Sequence, residues 1–305
     1  MRRQGFGYGL AAYVLWGAFP LYFPLLDPAS TIEVLACRFV FTALFCGLVL
    51  LALRRLRTAV RLGRRAVLRL AAASVLIGVN WGLYIWGVDH GHVIECSLGY
   101  FINPLVTVGL GVVVLRERLR RAQWAALGIG VAAVLVITLA YGQLPWLALC
   151  LAVTFGTYGL VKKQVGVPAL DGLFVEAGVL TVPWVVVLVA LNTTGDGTFA
   201  GHGAGHAWLL VSAGAVTAVP LLFFAGAASR LPLSQLGLLQ YLTPVLQLGV
   251  GVGIRHEPLP TSELVGFCLV WVALIVLTLD GWRHRSSRAP APPSPEQFDE
   301  PVLAA

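Results

Sequence analysis

Apolar residues in this chain gather in long runs without a polar stripe, and short polar stretches separate the runs. A helix in a water-soluble protein keeps a polar face, whereas one surrounded by lipid need not. Each run is about 20 residues long, which as an α-helix rises about 30 Å and matches the hydrocarbon core of a bilayer. The pattern predicts ten membrane spans, numbered 1 to 10 in chain order: 5–23, 31–53, 67–88, 93–115, 122–140, 144–161, 172–191, 206–227, 232–253 and 261–280. From Trp282 onward the chain turns to proline, alanine and acidic residues and reads as a disordered tail.

Span 4 is written twice. CSLGYFINPLVTVGLGVVVLRERL at 96–119 aligns without a gap on LGLLQYLTPVLQLGVGVGIRHEPL at 236–259, an offset of 140 that pairs Pro104 with Pro244, Gly109 with Gly249, Gly111 with Gly251 and Glu117 with Glu257. A period this long exceeds those of stacked solenoid repeats and points to two homologous halves, 1–141 and 142–281, with 282–305 as the tail. Five spans per half is an odd number, so the second half must enter the membrane upside down. The loops agree: the link after span 2 carries Arg54, Arg55, Arg57, Arg61, Arg64, Arg65 and Arg69, while its counterpart after span 7 has no lysine or arginine. Conversely, the link after span 1 lacks basic residues and its counterpart after span 6 carries Lys162 and Lys163. Of the 21 lysines and arginines, 19 fall on the side of the N-terminus and one, Arg38, falls inside a span. By the positive-inside rule both termini are cytoplasmic and the halves form an inverted pair. The fold expected is therefore all-α: a polytopic membrane protein with ten transmembrane helices as two inverted five-helix repeats.

Composition narrows the function classes. With 58% hydrophobic and 11% charged residues, the chain holds more apolar surface than a soluble domain could hide. The net charge of +7 sits in the short loops, where insertion topology explains it, so nucleic acid is excluded as a partner. The five cysteines, Cys37, Cys46, Cys96, Cys150 and Cys268, show no CxxC spacing and read as small packing residues. No cofactor is expected. His202 and His206 stand four apart but in a glycine-rich loop unsuited to metal geometry. Neither HExxH, GxSxG nor GxxxxGK[ST] occurs, so an enzyme would lack an evident nucleophile or metal and an ATP-driven pump its nucleotide site.

Polar groups inside spans are costly and point to a solute path. Arg38, about six residues into span 2, suits an anionic or carboxylate-bearing solute; pairing with an acid is the other reading, with Glu33 and Glu95 at compatible depths. Glu176 in span 7, with Glu95, is a candidate for proton coupling, against the plainer reading of a polar wall. Asn80, Trp81 and Tyr84 in span 3 and Trp16 in span 1 offer the aromatic wall of a small-molecule site, and Trp86 reads rather as interfacial belt. Tyr100 and Asn103 precede Pro104 as Gln240, Tyr241 and Thr243 precede Pro244. Each proline removes a hydrogen-bond donor from its helix and predicts a bend that could bind solute or act as a hinge. Glu117 and Glu257 stay open between a gate ion pair and a solvated helix end.

Three strings, Asn80-Trp81-Gly82-Leu83-Tyr84-Ile85-Trp86, then the stretch from Glu95 to Leu105 with its GYFINPL, then Leu115-Arg116-Glu117-Arg118-Leu119, resemble the RarD group of EamA-domain transporters in the drug/metabolite transporter superfamily. The resemblance runs nearly the whole chain. It implies a ten-helix transporter with its cavity between spans 1–4 and 6–9, spans 5 and 10 at the periphery, and export of a metabolite or drug by alternating access. The expected partners are a small-molecule solute and membrane lipids, with a homodimer left open. A membrane-embedded enzyme, a pore or a scaffold without transport activity are the rivals.

Overall fold

The computed structural model describes residues 2–90, 92–141 and 145–254, with short pieces between 264 and 276. Span 10, the tail and Glu257 therefore lie wholly or mostly outside the described residues, as does the side chain of Glu95. All regular structure among the described residues is helical. The helices are α1 (Arg2–Gly17), α2 (Phe19–Tyr22), a 3₁₀ turn (Phe23–Leu26), α3 (Thr31–Ala52), α4 (Leu56–Val60), α5 (Arg64–Asp89) and α6 (Val93–Val113). There follow α7 (Arg121–Tyr141), α8 (Trp146–Val165), α9 (Ala169–Thr194), α10 (Gly203–Ala228), α11 (Leu233–Gln240) and α12 (Leu242–Gly253). Five of the described segments are long and apolar enough to cross a membrane: Arg3–Leu26, Thr31–Ala52, Arg64–Gly87, Ala169–Thr194 and Gly203–Ala228. Leu48, Leu139, Val182 and Trp208 point outward from four different helices and stay exposed, a surface that lipid rather than water would cover.

Local chemistry sets where the runs start and stop. Ser30, extended at φ −64° and ψ 152°, accepts the Glu33 N–H at 3.2 Å and starts α3. Gly166 and Gly195, at φ 71° and 85°, end α8 and α9 in the left-handed region that glycine enters without steric cost. Span 1 breaks into α1, α2 and the 3₁₀ turn around Pro20 and Pro24. The two repeated prolines behave differently: Pro104 lies inside a continuous α6, whereas the helix containing Pro244 is interrupted at Tyr241 into α11 and α12.

Helices aligned by the 140-residue repeat lie side by side and antiparallel. The start of α3 meets the end of α9 through Glu33 and Thr198, and the end of α3 meets the start of α9 through Arg55 and Asp171 at 2.6 Å. The end of α6 meets the start of α11 through Glu117 and Leu233. Two further contacts, α5 on α8 and α10 on α1, are not between repeat mates but are exchanged by the repeat, which aligns α5 with α10 and α1 with α8; α7 packs chiefly along α6 at the periphery. Arg55, Arg69, Glu117, Lys163 and Arg230 make their contacts at one end of the bundle, hereafter the basic end. The core between α1, α8, α10 and α11 holds Tyr13, Tyr158, Phe224 and Leu236, with the Tyr158 and Phe224 rings stacked 5.8 Å apart.

Candidate functional site

α3 approaches α10 more closely than side chains would ordinarily permit. A Cβ on Gly214 would stand 2.3 Å from the Phe41 carbonyl carbon, so only glycine fits there. The Thr42 hydroxyl donates to the Gly214 carbonyl at 3.1 Å and fixes the contact. One turn away along both helices, Arg38 Nε donates to Thr217 Oγ1 at 3.0 Å. The guanidinium carbon lies 3.8 Å from the centroid of the Trp81 ring on α5, with Phe23 at 5.5 Å and Phe19 at 5.8 Å. A cation over an indole gains roughly 0.5–2 kcal/mol, more as water is excluded. No described carboxylate pairs with it. Glu33, read from sequence as a compatible partner, is turned away: fully buried, it accepts the backbone N–H groups of Thr198 and Phe199 at 2.8 and 3.0 Å and the Thr198 hydroxyl at 2.8 Å.

Arg38 and Trp81 border a narrow cavity whose other walls include Phe39, Ile77, Thr217, Leu221 and Glu176. Its space is that of about one water molecule, so the helices must part before a solute can enter. Glu176 stands in a buried ion pair. Its Oε2 accepts from Lys162 Nζ at 2.7 Å, and both side chains are buried, at 2% and 4% exposure. Lys162, counted in the sequence as a loop cation, stands in the last turn of α8 facing the interior. The α-helix runs past the apolar stretch to Val165, and its 3.6-residue turn places Lys162 on the same face as buried Tyr158.

The cavity thus gathers Arg38, Trp81 and Glu176. The other candidates lie elsewhere. Asn80 donates through Nδ2 to the Leu151 carbonyl at 2.8 Å and to Thr154 Oγ1 at 2.9 Å, joining α5 to α8. Trp16 packs on Phe224, Tyr13 and Phe155 with ring centroids within 6 Å. Tyr84 and Tyr100 pair edge to face at 5.9 Å. Thr243 donates to the Tyr13 carbonyl at 3.2 Å, and the Tyr241 hydroxyl, buried without a described partner, presses on Gly130 of α7. Asn103 and Gln240 are buried with their amide oxygens unpartnered among the described residues, where α6 crosses α11. Trp86 stacks with His90 and His92, in keeping with a helix end. Glu117 is neither a gate ion pair nor a solvated end: it accepts the Leu233 and Ser234 N–H groups at 2.7 and 2.8 Å and the Ser234 hydroxyl at 2.6 Å, capping α11. Thr217, Phe39 and Lys162 were missed as site residues. The sequence signal for Thr217 is a hydroxyl three residues before Pro220, one of two with Ser212 in an apolar span.

Known proteins place this architecture. The model of the EamA-like transporter family matches residues 3–139. Protein RarD of Streptomyces exfoliatus is 52% identical over 94% of this chain and 92% of its own length. The chain belongs to the EamA-like transporter family, in its RarD group. An uncharacterized transporter of Bacillus subtilis, YojE, is 40% identical over 93% of this chain and 97% of its own. A crystal structure of 18% identity shares the fold, with a TM-score of 0.70 over 93% of this chain and 99% of that one. The chain is accordingly a multi-pass membrane transporter, and the cavity at Arg38 brings together charge, aromatic surface and the helices α3, α5, α9 and α10.

Proposed function

We propose that this RarD-group protein is a secondary transporter that moves a small metabolite or drug-like solute out of the cell by alternating access, residues 1–141 and 142–281 rocking about Arg38 as five-helix repeats of opposite orientation. One observation carries the reading: a guanidinium held between α3, α5 and α10, oriented by Thr217 and Trp81 yet without a carboxylate partner among the described residues. A charge kept within apolar helices without a counter-ion costs stability, and a permanent structural role does not repay that cost. Supporting the inverted arrangement are the antiparallel contacts between repeat mates, α3 with α9 and α6 with α11. The prolines inside α6, α9 and α10 supply points where a helix can flex.

The test is counterflow of a labelled metabolite panel in proteoliposomes. Saturable exchange in the native protein, lost in Arg38→Ala with an unchanged helical signal, is the expected result. Exchange that rises linearly with concentration indicates a pore, and equal exchange by the variant removes Arg38 from the path. Single cysteines placed within 54–65 and within 195–206 should react from opposite sides of the membrane; labelling from one side sinks the inversion.

A further inference from the structure

Two cations and one carboxylate meet at the cavity: Arg38 and Glu176 on its wall and Lys162 against Glu176. Lys162 and Glu176 cancel at 2.7 Å, so the described groups leave one positive charge over. That charge is oriented. Thr217 occupies Nε and Trp81 covers a face of the guanidinium, while the two terminal nitrogens make no hydrogen bond to the described residues. A planar fork of donors with its rotation fixed matches the two oxygens of a carboxylate. The remaining walls are apolar or aromatic, notably Phe39, whose ring packs on Trp81 at 5.2 Å and stacks on Trp184 at 5.8 Å.

We propose that the solute is an organic monoanion, its carboxylate in the fork of Arg38 and its apolar body against Trp81 and Phe39. This deepens the transport reading and depends on it only in calling the ligand cargo. A neutral solute leaves the surplus charge uncompensated. A dianion overshoots it. A zwitterion brings an ammonium for which the cavity walls offer no free acid among the described residues, because Lys162 already holds Glu176.

Thermal shift of the full chain in detergent tests the charge rule with four probes of one shape: phenylacetate, its neutral amide, phenylsuccinate and phenylalanine. Acetate, benzoate and naphthoate cover differences in body size. The native protein should be stabilised by a monocarboxylate, with apparent affinity at least about tenfold above that for the amide, the dianion or the amino acid. Arg38→Lys keeps the charge and loses the fork, and should bind about tenfold more weakly. Arg38→Met should lose the shift while keeping the native helical signal, since it removes the fork and retains an unbranched side chain in its place. Equal stabilisation by amide and acid, preference for phenylalanine, an undiminished shift in Arg38→Met, or no shift with any monocarboxylate overturns the proposal. Binding that obeys the rule without counterflow would sink transport and leave the charge rule standing.

Discussion

Each end of the bundle is tied by a carboxylate of the first half holding backbone N–H groups of the second, but the two ties are built differently. At the end opposite the basic residues, Glu33 is fully buried and grips a turn, taking Thr198, Phe199 and the Thr198 hydroxyl. At the basic end, half-buried Glu117 grips the start of a helix, taking Leu233, Ser234 and the Ser234 hydroxyl. Leu233 and Ser234 are themselves buried, but Glu117 is only half-buried, so water can take the place of the carboxylate once it leaves. Glu33 lies wholly out of reach of water, so removing it strands the buried Thr198 donors with no substitute. The lesson is that the Glu33 end is the harder to open and the basic end the easier.

The largest expected effect falls between the two ends and sets their scale. Lys162→Met leaves Glu176 buried without its partner and should destabilise by about 3–5 kcal/mol, whereas the double variant Lys162→Met with Glu176→Leu should recover most of that loss. Thermal unfolding in detergent reads both, and equal loss in single and double variants would mean that the pair is not the cause. Next comes Glu33→Ala, which strands the Thr198 and Phe199 donors and should cost about 3 kcal/mol. Cys37, buried one turn beyond Glu33, reports on that end: its reaction with a thiol reagent should quicken, while buried Cys46, deeper in α3, should not change. Matched acceleration of both would show global loosening instead of one end opening.

Much of this fold was legible in the sequence, because lipid forces each span to satisfy its backbone within a helix and so to appear as an apolar run. The basic residues at one end were equally plain, since Arg55, Arg69, Lys163 and Arg230 gather there as the loop count suggests. The site was less legible. Arg38 and Trp81 stand out as a charge and a ring inside spans, and both reach the cavity. Lys162 was hidden because a cation just past an apolar run reads as a loop charge, and only the continuation of α8 to Val165 turns it inward. Asn80 and Trp16 look like solute contacts for the same reason that they hold helices together: a buried amide or ring needs a partner, and the sequence does not say whether a neighbouring helix provides it.

The two smallest effects decide whether the ends differ in kind or only in degree. Glu117→Ala removes the acceptor of three donors, as Glu33→Ala does, yet should cost only about 1 kcal/mol because Glu117 is half-buried and water can take its place. A loss equal to that of Glu33→Ala would erase the asymmetry. His206→Ala is the finer probe. The Thr198 hydroxyl gives its proton to Glu33, so His206 Nε2 at 2.8 Å must be the donor to the same oxygen. Removing the imidazole leaves every bond to Glu33 in place and should cost no more than about 0.5 kcal/mol, with Cys37 as unreactive as before. If instead Cys37 becomes as reactive as in Glu33→Ala, the hold on this end resides in the histidine and not in the carboxylate, and the ranking of the two ends fails.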